Sequence, residues 1–270
     1  MLALLCCTLL AGCTSVFFQP MKAWVRTPES IGLSYEDVTL TAADGTRLSA
    51  WYLPAPSSRG AVLFLHGNAQ NISTHLASVA WLPAQGYSVL LLDYRGYGRS
   101  EGAPSIAGSM LDIDVALRFL LQRPETRSRR VFVFGQSLGG ALALNYIAGC
   151  NCKPQLQGVI IDSTFTRYRA IAREKLQSLW LTWPLSWSLS LTVTGDDNPI
   201  DAIGHVSPVP LLLVHGDADR VIPVHHSQQL YEAARDPKTF WRVPDADHIL
   251  ALTSPQRRRD LVQWMGEQQQ

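Results

Sequence analysis

The chain has 270 residues, 47% of them hydrophobic, with 23 Lys plus Arg against 22 Asp plus Glu and a formal charge of +1. A chain of this length buries a sizeable core without disulfides or a metal, and one large α/β domain is its simplest organisation. The balanced charge leaves no electrostatic footprint for a nucleic-acid partner, and the clusters Arg127, Arg129, Arg130 and Arg257, Arg258, Arg259 read as solvated helix ends or loops.

In chain order, Met1 to Phe18 carries no charged residue, and MLALLCCTLLAGC passes through small residues to Cys13. The stretch resembles a bacterial lipoprotein signal whose lipobox is Leu10-Ala11-Gly12-Cys13. That resemblance implies a signal peptide over 1–12, lipidation of Cys13, and a membrane-anchored protein of the bacterial envelope facing the periplasm. The charged start usual in such signals is missing. An uncleaved anchor is the alternative, although the run falls short of the ~20 apolar residues of a spanning helix. Residues 13–34 read as a tether, and 35–266 as the folded domain.

Residues 37–40 and 47–53 alternate in character around Asp44-Gly45, a hairpin signal. Five short apolar runs follow, at 61–65, 88–92, 131–134, 159–161 and 211–214. Runs without polar alternation suit strands buried on both faces. A last strand is expected over 239–243, and helix-length segments include 109–121 and 138–148. Strand and helix repeated in this way predict a mostly parallel sheet with helices on both sides. A lid insertion is expected over about 164–207, where Trp180, Trp183, Leu185, Trp187, Leu189 and Leu191 occur with few charges after Lys175. An apolar lid over an acyl pocket and two helices packed on the core are both open for it. Cys150 and Cys152 are left as either a small disulfide or two thiols, with no zinc-ligand spacing around them.

Chemistry in such sheets gathers at the carboxyl ends of the strands. Gly135-Gln136-Ser137-Leu138-Gly139 fits G-x-S-x-G between a strand and a helix, which makes Ser137 the candidate nucleophile. A serine hydroxyl is weak and needs a base. His248 is the histidine that follows the last strand. His66 and His215 close strands before Gly and read as structural, His225 and His226 as surface residues, and His75 and His205 have no motif around them. The acid that holds the imidazole is assigned to Asp219, with Asp217 and Asp162 as rivals. Oxyanion donors are expected from the backbone N–H of Leu138 and of Asn68, with Ala69 as the second choice for the latter.

HGN, DYRGYGRS, GQSLGG, HGDADRVIP and DADH, in that order over residues 35–265, resemble the α/β-hydrolase superfamily and within it the serine-aminopeptidase-like, bem46-like group. The resemblance implies a Ser, Asp, His triad, no cofactor and no metal. It implies a serine hydrolase acting on esters or thioesters of acyl groups, whether small molecules or acylated proteins. A peptidase or amidase with the same triad is the alternative, which would need a carboxylate such as Glu174, Asp196, Asp197 or Asp201 to hold an amino terminus. A non-catalytic envelope lipoprotein is the third reading. The lipid anchor makes the membrane the other expected partner.

Overall fold

The computed structural model describes residues 17–124, 131–178, 185–193 and 196–268. The lipobox, Trp180, Trp183 and the cluster at Arg127, Arg129 and Arg130 lie outside these residues.

Eight strands form one sheet: β1 (Glu36–Thr41), β2 (Arg47–Leu53), β3 (Gly60–Leu65), β4 (Tyr87–Leu92), β5 (Val131–Gln136), β6 (Leu156–Asp162), β7 (Leu211–Gly216) and β8 (Lys238–Val243). Their order across the sheet is β8-β7-β6-β5-β3-β4-β2-β1. The six strands from β8 to β4 are parallel, and β2 and β1 add an antiparallel hairpin at one edge. Among the described residues there are eight helices: α1 (Ile72–His75), α2 (Ile106–Gln122), α3 (Leu138–Gly149), α4 (Tyr168–Ser178), α5 (Ser186–Ser190), α6 (Pro199–Ala202), α7 (His225–Ala233) and α8 (Pro255–Glu267).

The central strands are apolar throughout because both of their faces are covered. On β3, Ala61, Leu63 and Leu65 point into the core layer built with α2 and α3, while Val62 and Phe64 point into the layer built with α1 and α8. All five are fully buried. The strands run further than their apolar stretches suggest. β5 includes Gly135 and Gln136, and β6 ends on Asp162, because the ladder continues through Gly135–Ile161 and Gln136–Asp162. Backbone pairing is indifferent to the polarity of the side chain it carries, so the last ladder residues deliver polar groups to the sheet edge.

The structure corrects one sequence expectation and settles another that was open. From Phe17 onward, the segment expected as a tether packs on the domain: Gln19–Pro20 pairs in parallel with Ala69–Gln70, and Phe18 is buried. Cys150 and Cys152, left open between thiols and a disulfide, are joined as a disulfide.

Candidate active site

The turn after β5 explains why two glycines frame Ser137. A Cβ on Gly139 would stand 2.1 Å from the carbonyl oxygen of Leu65, and one on Gly135 would stand 2.5 Å from that of Gly139. Only residues without a side chain let β3, β5 and α3 close on one another here. The closure forces Ser137 to φ 52° and ψ −118°, a strained backbone for a non-glycine residue. The Ser137 N–H donates to the Asp162 carbonyl at 2.9 Å, and the Thr164 hydroxyl donates to the Ser137 carbonyl at 2.7 Å. Ser137 is 8% exposed at the first turn of α3. The N–H of Leu138 sits at the start of that helix, where backbone donors lack intrahelical partners.

The loop after β7 carries Asp219, whose Oδ1 accepts from the backbone N–H of Val221 and of Ile222, each at 2.8 Å. Its Oδ2 lies 2.8 Å from His248 Nδ1 and 3.2 Å from His215 Nε2. Burial opposes ionisation of Asp219, but the hydrogen bonds from His215 and His248 override it and hold the carboxyl well below the usual carboxylate range. The rivals are placed elsewhere. Asp217 accepts from Asp245 N–H at 2.8 Å and from Arg242 at 3.3 Å. Asp162 is fully buried, accepts from Gln136 at 2.8 Å and Ser163 at 2.9 Å, and is raised by that burial.

The loop that carries His248 is tied to the serine turn through Ser163. The N–H of Ile249, the neighbour of His248, donates to Ser163 Oγ at 3.3 Å, next to the Asp162 carbonyl that holds Ser137. Among the described residues, Ser137 Oγ makes no hydrogen bond to His248 Nε2. The loop after β3 also reaches the serine. A Cβ on Gly67 would be 3.5 Å from Ser137 Cβ and 3.3 Å from His75 Cε1. The Asn68 carbonyl is held by the Tyr97 hydroxyl at 2.6 Å and the Gln19 N–H at 2.9 Å.

His75 is thus a site neighbour that no motif marked. It stands at the end of α1, its Nε2 is 3.2 Å from the Ala69 carbonyl, and burial lowers its pKa. His66 and His215 are structural, as expected: His66 Nδ1 meets the Gly67 carbonyl at 2.7 Å, and His215 bonds Ser227 Oγ at 2.6 Å and the Ile222 carbonyl at 2.8 Å. His226, expected at the surface, is instead 1% exposed. It packs there because α7 turns it beneath α4, where its Nε2 is 3.2 Å from Glu174 Oε2.

Glu174, His225 and His226 are the one group among the described residues with metal-ligand donors gathered together, all within 4.8 Å. The N–H of Thr166 donates to His226 Nδ1 at 3.2 Å, which leaves the ring proton on Nε2, facing the carboxylate. A metal would need that Nε2 lone pair, so the cluster fits a hydrogen-bonded clasp between α4 and α7 better than an ion site.

A mostly parallel eight-stranded sheet with helices on both faces, a strained serine turn after its fifth strand and an Asp–His pair after its seventh and eighth defines an α/β-hydrolase. The chain belongs to the serine aminopeptidase, S33, family of these hydrolases, matched over residues 56–201. It is 39% identical over 225 residues to the uncharacterized protein YfhR of Escherichia coli strain K12, covering 82% of this chain and 75% of that one. Protein bem46 of Schizosaccharomyces pombe is 29% identical over 214 residues, covering 77% and 69%. Among solved structures, the Pyrococcus furiosus esterase Pf2001 superposes with a TM-score of 0.72 at 23% identity, covering 93% of this chain and 96% of its own. At that identity the likeness speaks for the fold.

Proposed function

We propose that the protein is a serine hydrolase that cleaves carboxylic esters or thioesters of acyl groups through an acyl-enzyme on Ser137. The observation that carries this reading is the 2.8 Å contact between Asp219 Oδ2 and His248 Nδ1, the latter on a loop that Ser163 ties to the serine turn. With Nδ1 as donor to the carboxylate, the His248 proton is kept off Nε2, which is then free to draw the proton from Ser137 Oγ. The alkoxide attacks the acyl carbon. The oxygen that becomes negative is received by the N–H groups of Leu138 and Asn68. His248 returns its proton to the leaving alcohol or thiol, and water then repeats the sequence to release the acid.

The lid's composition favours acyl esters over peptides; the carboxylates that could hold a substrate ammonium are only partly engaged, Glu174 by His225 and His226 and Asp201 by Arg167 at 2.9 Å. The lid residues Leu185, Trp187, Leu189 and Leu191 are apolar, which suits acyl chains. Asp196 and Asp197 are exposed at the lid exit.

A fluorophosphonate probe tests the reading. Wild type is expected to label and Ser137→Ala to stay unlabelled; labelling of both proteins, or of neither, counts against a Ser137 acyl-enzyme. Attachment to the bacterial envelope through lipidated Cys13 belongs to the same proposal, and Cys13→Ser should abolish metabolic palmitate labelling. No helix among the described residues is long and apolar enough to cross a membrane.

A further inference from the structure

Helix α5 is inside out. Its buried positions are Ser186 and Ser190, at 5% and 2% exposure, while Leu185, Trp187, Leu189 and Leu191 are 57%, 60%, 41% and 53% exposed. A helix in water does the reverse and turns its apolar stripe to the core. Four large apolar side chains on one short stretch form the kind of contiguous patch that marks a binding surface rather than the scattered exposure of ordinary monomers.

A chain of contacts links the patch to the loops of the candidate active site. Arg173 on α4 lies over the Trp187 ring at 4.4 Å. Two residues on, Lys175 Nζ donates to the Arg220 carbonyl at 3.1 Å. Arg220 pairs with Asp247, joining the loop of Asp219 to the loop of His248. The two remaining exposed apolar residues there, Val221 at 42% and Leu250 at 49%, stand two residues beyond Asp219 and His248 respectively. The chain also enters the domain at this place, because Phe17 packs against Phe165 and Tyr168 at the base of α4, with ring centroids 6.1 and 5.1 Å apart. α4 itself contributes Arg169, Arg173 and Lys175 against a single acid, Glu174, while Arg167 just before it is paired with Asp201.

Apolar tips beside a basic flank are the chemistry of a surface that meets anionic lipid. We propose that α5, with Val221 and Leu250 at the rim, seats the candidate catalytic edge on an anionic phospholipid bilayer, so that acyl substrates enter from the lipid phase. The docking stands on the patch alone; only the entry of substrate rests on the hydrolase reading.

The test uses the full chain reconstituted into phosphatidylcholine vesicles with and without phosphatidylglycerol, some carrying brominated acyl chains that quench tryptophan on contact. Part of the quenching should disappear in Trp187→Phe and should be larger with phosphatidylglycerol present. The double substitution Leu189→Glu, Leu191→Glu touches only exposed positions. It should lower turnover of a long-chain ester embedded in the vesicles by about tenfold and leave a soluble acetate ester within about twofold. Identical quenching of wild type and Trp187→Phe overturns the docking. So does a wild-type dimer that Leu189→Glu converts to monomer, since a second copy would then cover the face. Loss of all ester turnover with Trp187-dependent quenching intact would sink the hydrolase reading and leave the docking standing.

Discussion

At the scale of single residues, the structure separates groups that the sequence leaves side by side. Asp217 and Asp219 share one turn, and no pattern of hydrophobicity distinguishes them. The backbone does, by aiming Asp217 at Arg242 and Asp245 and Asp219 at His248. Asp162 is the sterner rival, because it is buried beside the nucleophile turn and its carbonyl holds the Ser137 N–H. Its carboxylate, however, is spent on the neutral donors Gln136 and Ser163. Asp219→Asn should therefore lower kcat for a p-nitrophenyl ester by about 10⁴, since an amide donor would favour the wrong imidazole tautomer. Asp162→Asn, which perturbs only the support of the turn, should cost about tenfold or less. Steady-state kinetics of the two variants decide between them, and equal losses would argue that the acid is wrongly assigned. The candidate serine, acid and base are legible because each stands just past a strand end in a recognisable motif. His75 is not, because it reaches the site from a four-residue helix through a contact beneath Gly67 that no spacing encodes.

At the scale of elements, the five apolar runs mark the central strands β3 to β7, since a strand covered on both faces must be apolar along its length, while the edge hairpin is marked by alternation around Asp44-Gly45. What they could not mark is the two-residue strand Gln19–Pro20, too short for any periodicity and lying in a stretch that reads as a linker. It pairs with Ala69–Gln70, the continuation of the loop that carries Asn68. The Tyr97 hydroxyl stitches the two together, donating to the Asn68 carbonyl at 2.6 Å and accepting from the Gln19 N–H at 3.1 Å. Fixing the Asn68 carbonyl fixes the planar peptide that carries the N–H of Ala69, the second-choice donor, and steadies the loop on which the N–H of Asn68 lies; donors must be held in place before charge develops on the substrate oxygen if they are to lower the barrier. Tyr97→Phe keeps the ring packing of a buried residue and removes only the stitch. The expected result is a fall in kcat of about tenfold with KM within about twofold. A rise in KM at unchanged kcat would show that the loop binds ground-state substrate instead.

At the scale of the whole molecule, the same N-terminal segment closes over a buried polar pair that ties stability to pH. Asp93 and His66 are both fully buried, with Asp93 Oδ1 accepting from the Ile72 N–H at 2.9 Å and lying 3.6 Å from His66 Nε2. His66 Nε2 and Asp93 Oδ2 have no hydrogen-bond partner among the described residues. Burial raises the Asp93 carboxyl from 3.8 to about 7 and pushes the His66 imidazole from 6.5 down to about 3, so both groups are neutral across the intervening range. The two have opposite signs in the linkage. Asp93, raised on folding, contributes its stability fully below 3.8 and loses it as pH climbs through about 7. His66, depressed on folding, contributes above 6.5 and loses it as pH falls towards about 3. In wild type these limbs oppose each other in the range they share, so a pH scan of that protein alone would look flat. Asp93→Asn removes one limb and keeps an acceptor for Ile72. The difference in thermal midpoint, variant minus wild type, should therefore widen from about pH 4 to about pH 7 and then level off. The change corresponds to a few kcal/mol, on the order of a third of the stability of an ordinary domain. Calorimetry across that range reads it directly. A difference that stays constant with pH would mean that the carboxyl ionises in the fold as readily as in water, and that the pocket formed by Trp24, His66 and α1 is wetter than its packing implies.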